Sequence, residues 1–249
     1  QSQNKTSDLC VVQKSNSVNL ESDHADNNLN WMKKKVYTEL AYDIPGDKLK
    51  ANFTLPLILQ QINYSDTTYA LNKSLTRLYF NPQFRMKYQI GLENYLNLMY
   101  SYRNQVGTIE DIYQGEILRD YRSLTANSSD LTVQQIQQAG AGFNYRKALT
   151  LFFFSVNALY SHTSVKNIAS GVITNNIQER VMLPYANSTD SWALSAATSK
   201  YLFALRTTFS AGIQWQSNHS VQIQNDALLP FNTITETLTF GADTKVSDK

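Results

Sequence analysis

Apolar side chains recur at every second position over residues 78–90: Leu78, Phe80, Pro82, Phe84, Met86, Tyr88 and Ile90. Tyr79, Asn81, Gln83, Arg85, Lys87 and Gln89 lie between them, five of the six polar or charged. A period of two predicts a strand with one apolar and one polar face. Gly91 to Asn94 supplies a turn, after which Leu96, Leu98, Tyr100 and Tyr102 alternate with Asn97, Met99, Ser101 and Arg103. The hairpin over residues 78–103 puts Phe80, Phe84, Met86, Leu96 and Leu98 on one face. Gln83, Arg85, Lys87 and Asn97 fall on the other. Both strands exceed the usual length of about 5–6 residues.

The pattern repeats along the chain. Val36, Leu40, Tyr42 and Ile44 share a face, as do Ala51, Phe53, Leu55, Leu57 and Leu59. Pro56 lies inside the second of these stretches and marks an edge, a bulge or a gap, because it donates no ladder hydrogen bond. Ala139, Ala141, Phe143 and Tyr145 form another face, followed by Phe152, Phe154, Val156, Ala158 and Tyr160. Trp192, Leu194 and Ala196 open the next strand. Tyr201, Phe203, Leu205, Thr207, Phe209, Ala211, Ile213 and Trp215 read as one long strand. Asn232, Ile234, Glu236, Leu238 and Phe240 read as the last. Residues 1–30 are polar with weak strand character, and residues 31–249 carry the regular pattern. The alternation counts about 10–12 strands.

Short turns are expected at residues 45–47, 91–94, 146–147 and 199–200, and long connections at 62–74, 105–131, 162–189 and 217–229. Short and long connections alternate, as in an antiparallel up-and-down transmembrane β-barrel with short turns on one side and long loops on the other. A Greek-key sandwich has no reason to keep that order. The expected fold is therefore all-β, a partial barrel with its apolar face toward lipid. Tyr88, Tyr100, Tyr102, Tyr160, Tyr201 and Trp215 sit toward strand ends, where aromatic girdles form.

Composition sharpens this picture. Hydrophobic residues make up 42% of the 249 and aromatics 12%, with a net charge of +2. No apolar run reaches the roughly 18 residues of a membrane helix, yet a barrel needs apolar residues only at alternate positions. Lys33 to Lys35 is too short a basic run to mark nucleic acid as a partner. The single cysteine, Cys10, excludes an internal disulfide and reads as a chance thiol. Asn-x-Ser/Thr sequons such as Asn52-Phe53-Thr54 and Asn187-Ser188-Thr189 read as chance in a chain rich in Asn, Ser and Thr, the first of them lying inside an expected strand. His24, His162 and His219 show no metal-ligand spacing, and no nucleophile or phosphate-loop motif occurs. Asp120, His162 and Ser164 are the residues a barrel enzyme would use. Asp120 lies in a different long connection from His162 and Ser164, so no enzyme and no cofactor is expected. Arg103, Arg119, Tyr121 and Arg122 are the candidate ligand contacts, because long loops carry binding residues.

The runs Leu55-Pro56-Leu57, Gln61-Ile62-Asn63-Tyr64 and Arg77-Leu78-Tyr79-Phe80-Asn81-Pro82-Gln83-Phe84-Arg85-Met86-Lys87-Tyr88 resemble the barrel of Bacteroidetes TonB-dependent outer-membrane receptors. Tyr100-Ser101-Tyr102-Arg103-Asn104, Asp120-Tyr121-Arg122-Ser123-Leu124, Phe143-Asn144-Tyr145-Arg146-Lys147 and Ala158-Leu159-Tyr160-Ser161 extend the resemblance over residues 36–240. It implies nutrient uptake across the bacterial outer membrane through a plugged barrel of about 22 strands, energised by an inner-membrane TonB complex. Its implied partners are outer-membrane lipid, a plug domain, the TonB complex, and a surface lipoprotein or other chains that complete the barrel. No plug, TonB box or terminal aromatic is seen, so the chain reads as a barrel fragment. The other reading left open is a soluble or surface-displayed β-sandwich that binds or adheres.

Overall fold

The computed structural model describes residues 2–7, 11–13, 16–18, 27–112, 114, 117–120, 123–127, 130–174, 177–225 and 227–244. In chain order the strands are β1 (Ser2–Ser7), β2 (Val11–Gln13), β3 (Asn16–Val18), β4 (Asn27–Pro45), β5 (Leu49–Asp66), β6 (Leu71–Phe80), β7 (Gln83–Gln89), β8 (Tyr95–Val106), β9 (Ile117–Asp120), β10 (Ser123–Asn127), β11 (Val133–Lys147), β12 (Phe152–Val165), β13 (Ile168–Thr174), β14 (Ile177–Leu183), β15 (Asn187–Leu202), β16 (Thr207–Gln224) and β17 (Ala227–Thr244). The described helices are three short 3-10 turns, at Ile109–Ile112, Ala148–Thr150 and Phe203–Leu205.

Fifteen strands form one large, mostly antiparallel, unclosed sheet, with β2 and β3 a separate hairpin. Its wall is an up-and-down meander through β4, β5, β6 with β7, β8, β11, β12, β15, β16 and β17. β6 and β7 are one strand interrupted at Asn81-Pro82, because β5 pairs with β7 along its first part and with β6 along the rest. The wall thus has nine through-running strands, one fewer than the lowest count expected from alternation. β1 lies against the start of β4, so residues 2–7 belong to the same sheet.

Cross-strand neighbours share a face, and the register therefore carries each apolar position onto the next strand. Tyr42 faces Phe53, Phe53 faces Phe84 and Phe84 faces Tyr100. Tyr100 then faces Ala139, Ala139 faces Tyr160 and Tyr160 faces Trp192. The next row runs Met86, Leu98, Ala141, Ala158, Leu194 and Trp215. The hairpin partition holds: Phe84, Met86, Leu96 and Leu98 share this face with Phe80, while Gln83, Arg85, Lys87 and Asn97 take the other.

This apolar face is uncovered. Val36 is 65% exposed and Phe240 78%, and Leu40, Tyr42, Phe80, Ile213 and Leu238 are exposed as well. The chain exposes 16848 Å², against about 11,000 Å² for a compact monomer of 28.3 kDa. No second sheet buries either face among the described residues, so the sandwich arrangement is not observed. Buried apolar side chains gather at one end instead. Leu29, Trp31, Ile62 and Tyr64 of β4 and β5 pack with Ile109 and Ile112, which the chain after β8 folds back onto them.

Two turns fall later than expected. The turn placed at residues 146–147 is Ala148–Thr150, and the turn placed at 199–200 is Phe203–Leu205. Leu151 and Arg206 close them at φ 47°, the left-handed residue after a tight turn in short hairpins. Apolar alternation runs straight through Tyr201, Phe203 and Leu205, so periodicity alone marks no end there. In consequence Tyr201 ends β15 opposite Thr208, on the polar face, rather than starting a strand that contains Trp215. Two expected long connections are ladder for most of their length. β5 and β6 pair up to Asp66–Leu71, and β16 and β17 up to Gln224–Ala227. Beyond the apolar belt the apolar positions of β5 change face, from Leu59 to Ile62 and Tyr64, and those of β16 are interrupted at Ser217 and His219, so the alternation that reveals a strand breaks while backbone pairing continues. The connections at 107–132 and 166–186 are long, and they contain β9, β10, β13 and β14. These join as an extension of β16, with β10 parallel to β14.

Candidate functional site

Charge on the first part of the wall is concentrated on one face. Lys33, Lys35, Lys50, Lys73, Arg77, Arg85, Lys87 and Arg103 occupy the polar-face register of β4 to β8, with Glu39, Asp43 and Asp66. A groove of about 820 Å³ runs along this face near the short turns. Asp43, Asn52, Arg85, Lys87, Asn97 and Met99 line it. Asn52 Nδ2 donates to Asp43 Oδ1 at 2.6 Å, and Lys87 Nζ stands 4.0 Å from the Tyr95 ring centre. Gly140 and Gly142 form part of its lining, and a Cβ at Gly142 would come within 2.5 Å of Asn157 Oδ1. Glycine there lets the Asn157 amide lie across β11.

The wall has a break at Asn81-Pro82. Pro56 has no N–H to offer opposite Asn81, whose own N–H donates to Pro56 O at 3.1 Å. Tyr102 N donates to Pro82 O at 2.9 Å, the last backbone bond between this strand and β8. Pro56 thus marks a gap in the ladder, one of the three outcomes its position predicted. Above the break β6 pairs only with β5. The Asn81 side chain bridges the start of the gap: its Oδ1 accepts from Asn104 N at 2.8 Å and Asn104 Nδ2 at 3.0 Å, and Asn104 Nδ2 also donates to Phe80 O at 3.0 Å.

Beyond this clamp the two edges splay around a wedge-shaped cavity of about 930 Å³. Lys73, Arg77 and Tyr79 line one side, Tyr102 and Asn104 the other, and Asp130, Thr132 and Lys166 reach it from the connections. Lys73 pairs with Asp130, which holds the ammonium above its ordinary pKa through that hydrogen bond. Tyr79 and Gln60 are each 6% exposed, and the Tyr79 hydroxyl and Gln60 Nε2 have no hydrogen-bond partner. Each such group costs about 1–3 kcal/mol.

Of the four residues expected to contact ligand, Arg103 and the backbone of Arg119 are among the described residues. Arg103 is exposed on the polar face of β8, opposite Ile136, and borders a smaller hollow of about 270 Å³ with Arg85, Ser101 and Gln138. The backbone of Arg119 lies in β9, in the extension built from the connections. Tyr121 and Arg122 lie outside the described residues, as does Cys10.

A further polar group stands on the apolar side, one row beyond Tyr160 and Trp192. His162 of β12 faces Asp190 of β15, which faces His219 of β16. Asp190 Oδ1 accepts from the Tyr160 hydroxyl at 2.6 Å and lies 2.8 Å from His162 Nδ1. Those two hydrogen bonds, Tyr160 first, hold the Asp190 carboxyl below the usual carboxylate range against the opposing effect of burial. His162 and Ser164 share β12, but the carboxylate partner of His162 is Asp190. Sequence reading missed it because the pair is made by register between strands 28 residues apart. No group of three His, Cys, Asp or Glu side chains suited to a metal occurs among the described residues. No protein-family model and no curated protein matches the chain.

Proposed function

We propose that the chain is a section of the wall of a bacterial outer-membrane β-barrel, acting in nutrient uptake as part of a TonB-dependent receptor. The observation that carries the membrane reading is the belt of apolar side chains, exposed or half-buried and unbroken in register from β4 to β16, over a face whose reverse is mostly polar. Lipid is the solvent that favours such a face, whereas water tolerates patches of only about 300–600 Å². The row of Tyr100, Tyr160 and Trp192 forms one border of the belt, and the row of His162, Asp190 and His219 lies outside it in the headgroup region. The uptake role, the plug domain and the TonB complex follow from the resemblance of the strand sequences to that receptor class.

Strand direction supports an incomplete wall. Nine strands in an antiparallel meander leave β4 and β17 running the same way. Closing the wall on itself, or against a second copy in the same membrane orientation, would join parallel edges. Antiparallel closure requires an odd number of further through-running strands from a plug-bearing or other chain segment. An open edge inside a bilayer would leave backbone groups without partners.

The three tryptophans test the membrane reading. Trp192 and Trp215 sit on the apolar face, while Trp31 is buried in the cluster on the polar side. In single-tryptophan variants reconstituted with brominated lipid, Trp192 and Trp215 are quenched and Trp31 is spared. Equal quenching of all three overturns the reading. So does a monodisperse, cooperatively unfolding monomer in detergent-free buffer, which would return the chain to a water-soluble binding module.

A further inference from the structure

We propose that the groove beside the short turns binds an organic phosphate or sulfate, with the tetrahedral oxyanion over β5 and β7 and a flat apolar body over β8 to β12. The first observation is a like-charge pair built into the ladder. Lys50 of β5 and Lys87 of β7 are direct register partners, and Arg85 stands next to them on the same face, opposite Asn52. Like charges directly opposite one another destabilise a sheet. Among the described residues none of these three cations makes an ion pair. The Lys87 ammonium lies over the Tyr95 ring of β8 instead, on the side away from Lys50, and both charges stay uncompensated. Diagonal neighbours in a ladder are about 7–8 Å apart, so the three long side chains reach one point above the sheet. A guanidinium fork and two ammoniums offer more donors than the two oxygens of a carboxylate take up. They match the three free oxygens of a phosphate or sulfate ester.

The second observation is an apolar floor on a mostly polar face. The row through Arg85 continues as Met99, Gly140 and Leu159. A Cβ at Gly140 would come within 3.0 Å of Met99 Cγ and 3.3 Å of Leu159 Cδ1, so the missing side chain lets these two close over β11. Met99 nonetheless stays 39% exposed. The three cations, Met99, Gly140 and Leu159 all line the groove, whose volume of about 820 Å³ suits a small organic ligand. Asp43 and Asp47 border it on the β4 side, where Asp43 takes the Asn52 amide. Those carboxylates direct the body of an anionic ligand away from β4 and toward the Met99–Leu159 floor. Register alone creates this site, so it does not depend on the membrane reading. The lipid-quenching result and the binding result can therefore fail separately.

Phenyl phosphate and phenyl sulfate are the probes, titrated by calorimetry into the full chain in nonionic detergent micelles, with the heat of titration into empty micelles subtracted. Benzoate and inorganic phosphate are the comparison solutes. One ester is expected to bind saturably, to weaken with added salt, and to bind at least roughly tenfold more tightly than either comparison solute. Phenyl phosphate as the tighter ester near pH 8, losing affinity toward pH 5 as its second proton returns at about pH 6, assigns a phosphate. Phenyl sulfate as the tighter ester at both pH values assigns a sulfate. Lys50→Glu tests the argument through two opposite signs. It sets a carboxylate opposite Lys87, so the denaturation midpoint of the unliganded chain should rise while affinity for the preferred ester falls by roughly tenfold or more. Arg85→Gln should weaken the ester by roughly tenfold. Neither ester tighter than benzoate overturns the proposal, and so does inorganic phosphate as tight as the preferred ester. A midpoint lowered by Lys50→Glu overturns it too, as does an affinity that Lys50→Glu and Arg85→Gln both leave unchanged.

Discussion

The polar faces of the two parts of the wall differ sharply, although their apolar faces are alike. From β4 to β8 this face carries eight cations and three carboxylates, and its ladder is broken at Asn81-Pro82. From β11 to β17 the charges in the same register are Arg146 and Asp243, both near the short turns. There the face is made of small residues, with Gly142 beside Asn157, Ser195 beside Gln214, and Gly212 beside Ala197 and Thr239. The ladder in this part runs without interruption from β11 through β17. The difference teaches that the two faces answer to separate demands. The apolar face keeps its register from β4 to β16, while the polar face changes from charged in β4 to β8 to largely uncharged from β11 on.

The largest expected effect breaks this comparison on its common side. Phe84→Arg in the charged part and Ile213→Arg in the small-residue part should each cost about 2–4 kcal/mol in a bilayer folding titration. Gln83→Arg and Gln214→Arg, their neighbours on the polar face, should cost far less. If Ile213→Arg proves as mild as Gln214→Arg, the two parts do not share an apolar environment.

A smaller effect sharpens the contrast in ladder continuity. Asn81→Ala removes the acceptor of the Asn104 backbone N–H and of its side-chain amide. It should destabilise by about 1–3 kcal/mol, the cost of leaving such groups unpaired. Amide exchange is the local readout. Asn104 and the β6 edge should exchange faster in the variant, while amides of β12 and β15 keep their protection. Unchanged exchange at Asn104 would show that the clamp does not hold the start of the wedge.

The belt was legible in the sequence because most of its strands alternate, as Phe84, Met86 and Tyr88 do. Turns were misplaced where that alternation carries on through the reversal, at Tyr201, Phe203 and Leu205. The far ends of β5 and β16 were read as loops because their alternation breaks there, with apolar positions changing face between Leu59 and Ile62 and interrupted at Ser217 and His219, while ladder bonds continue. Among the candidate contacts, Arg103 was correctly given a polar-face position by its place in the alternation. The wedge was invisible for a different reason. Pro56 suggests a local fault, but Pro82 reads as one more apolar position of an unbroken strand, and only register brings Pro56 opposite Asn81 and sets Asn104 beside them. Burial of Tyr79 and Gln60 is likewise a tertiary outcome. Nothing in the tripeptides around them distinguishes them from their exposed neighbours.

The smallest effect concerns where each part of the wall keeps its charge beyond the belt. In the small-residue part it lies on the apolar side, in the row of His162, Asp190 and His219, which continues to Asn232. The same row runs through Gln137 of β11 to Tyr102 of β8, its member in the charged part, and both are neutral. Asp190 takes hydrogen bonds from Tyr160 and His162, so its folded pKa lies below the ordinary 3.8. A depressed carboxyl pKa means that the unfolded state binds the proton more readily. The stabilisation is therefore fully present above about pH 3.8 and is lost as pH falls through the lower folded value. Asp190→Asn removes it at every pH. The stability gap between wild type and variant should be constant near neutrality and should close in acid below pH 4. A Tyr102→Phe variant, changed at the neutral position of the row, should show a gap that does not vary over that range. Chemical denaturation of the micelle-bound chain from pH 7 to pH 3 gives both curves, and a gap for Asp190→Asn that widens in acid would reverse the sign assigned to this carboxylate.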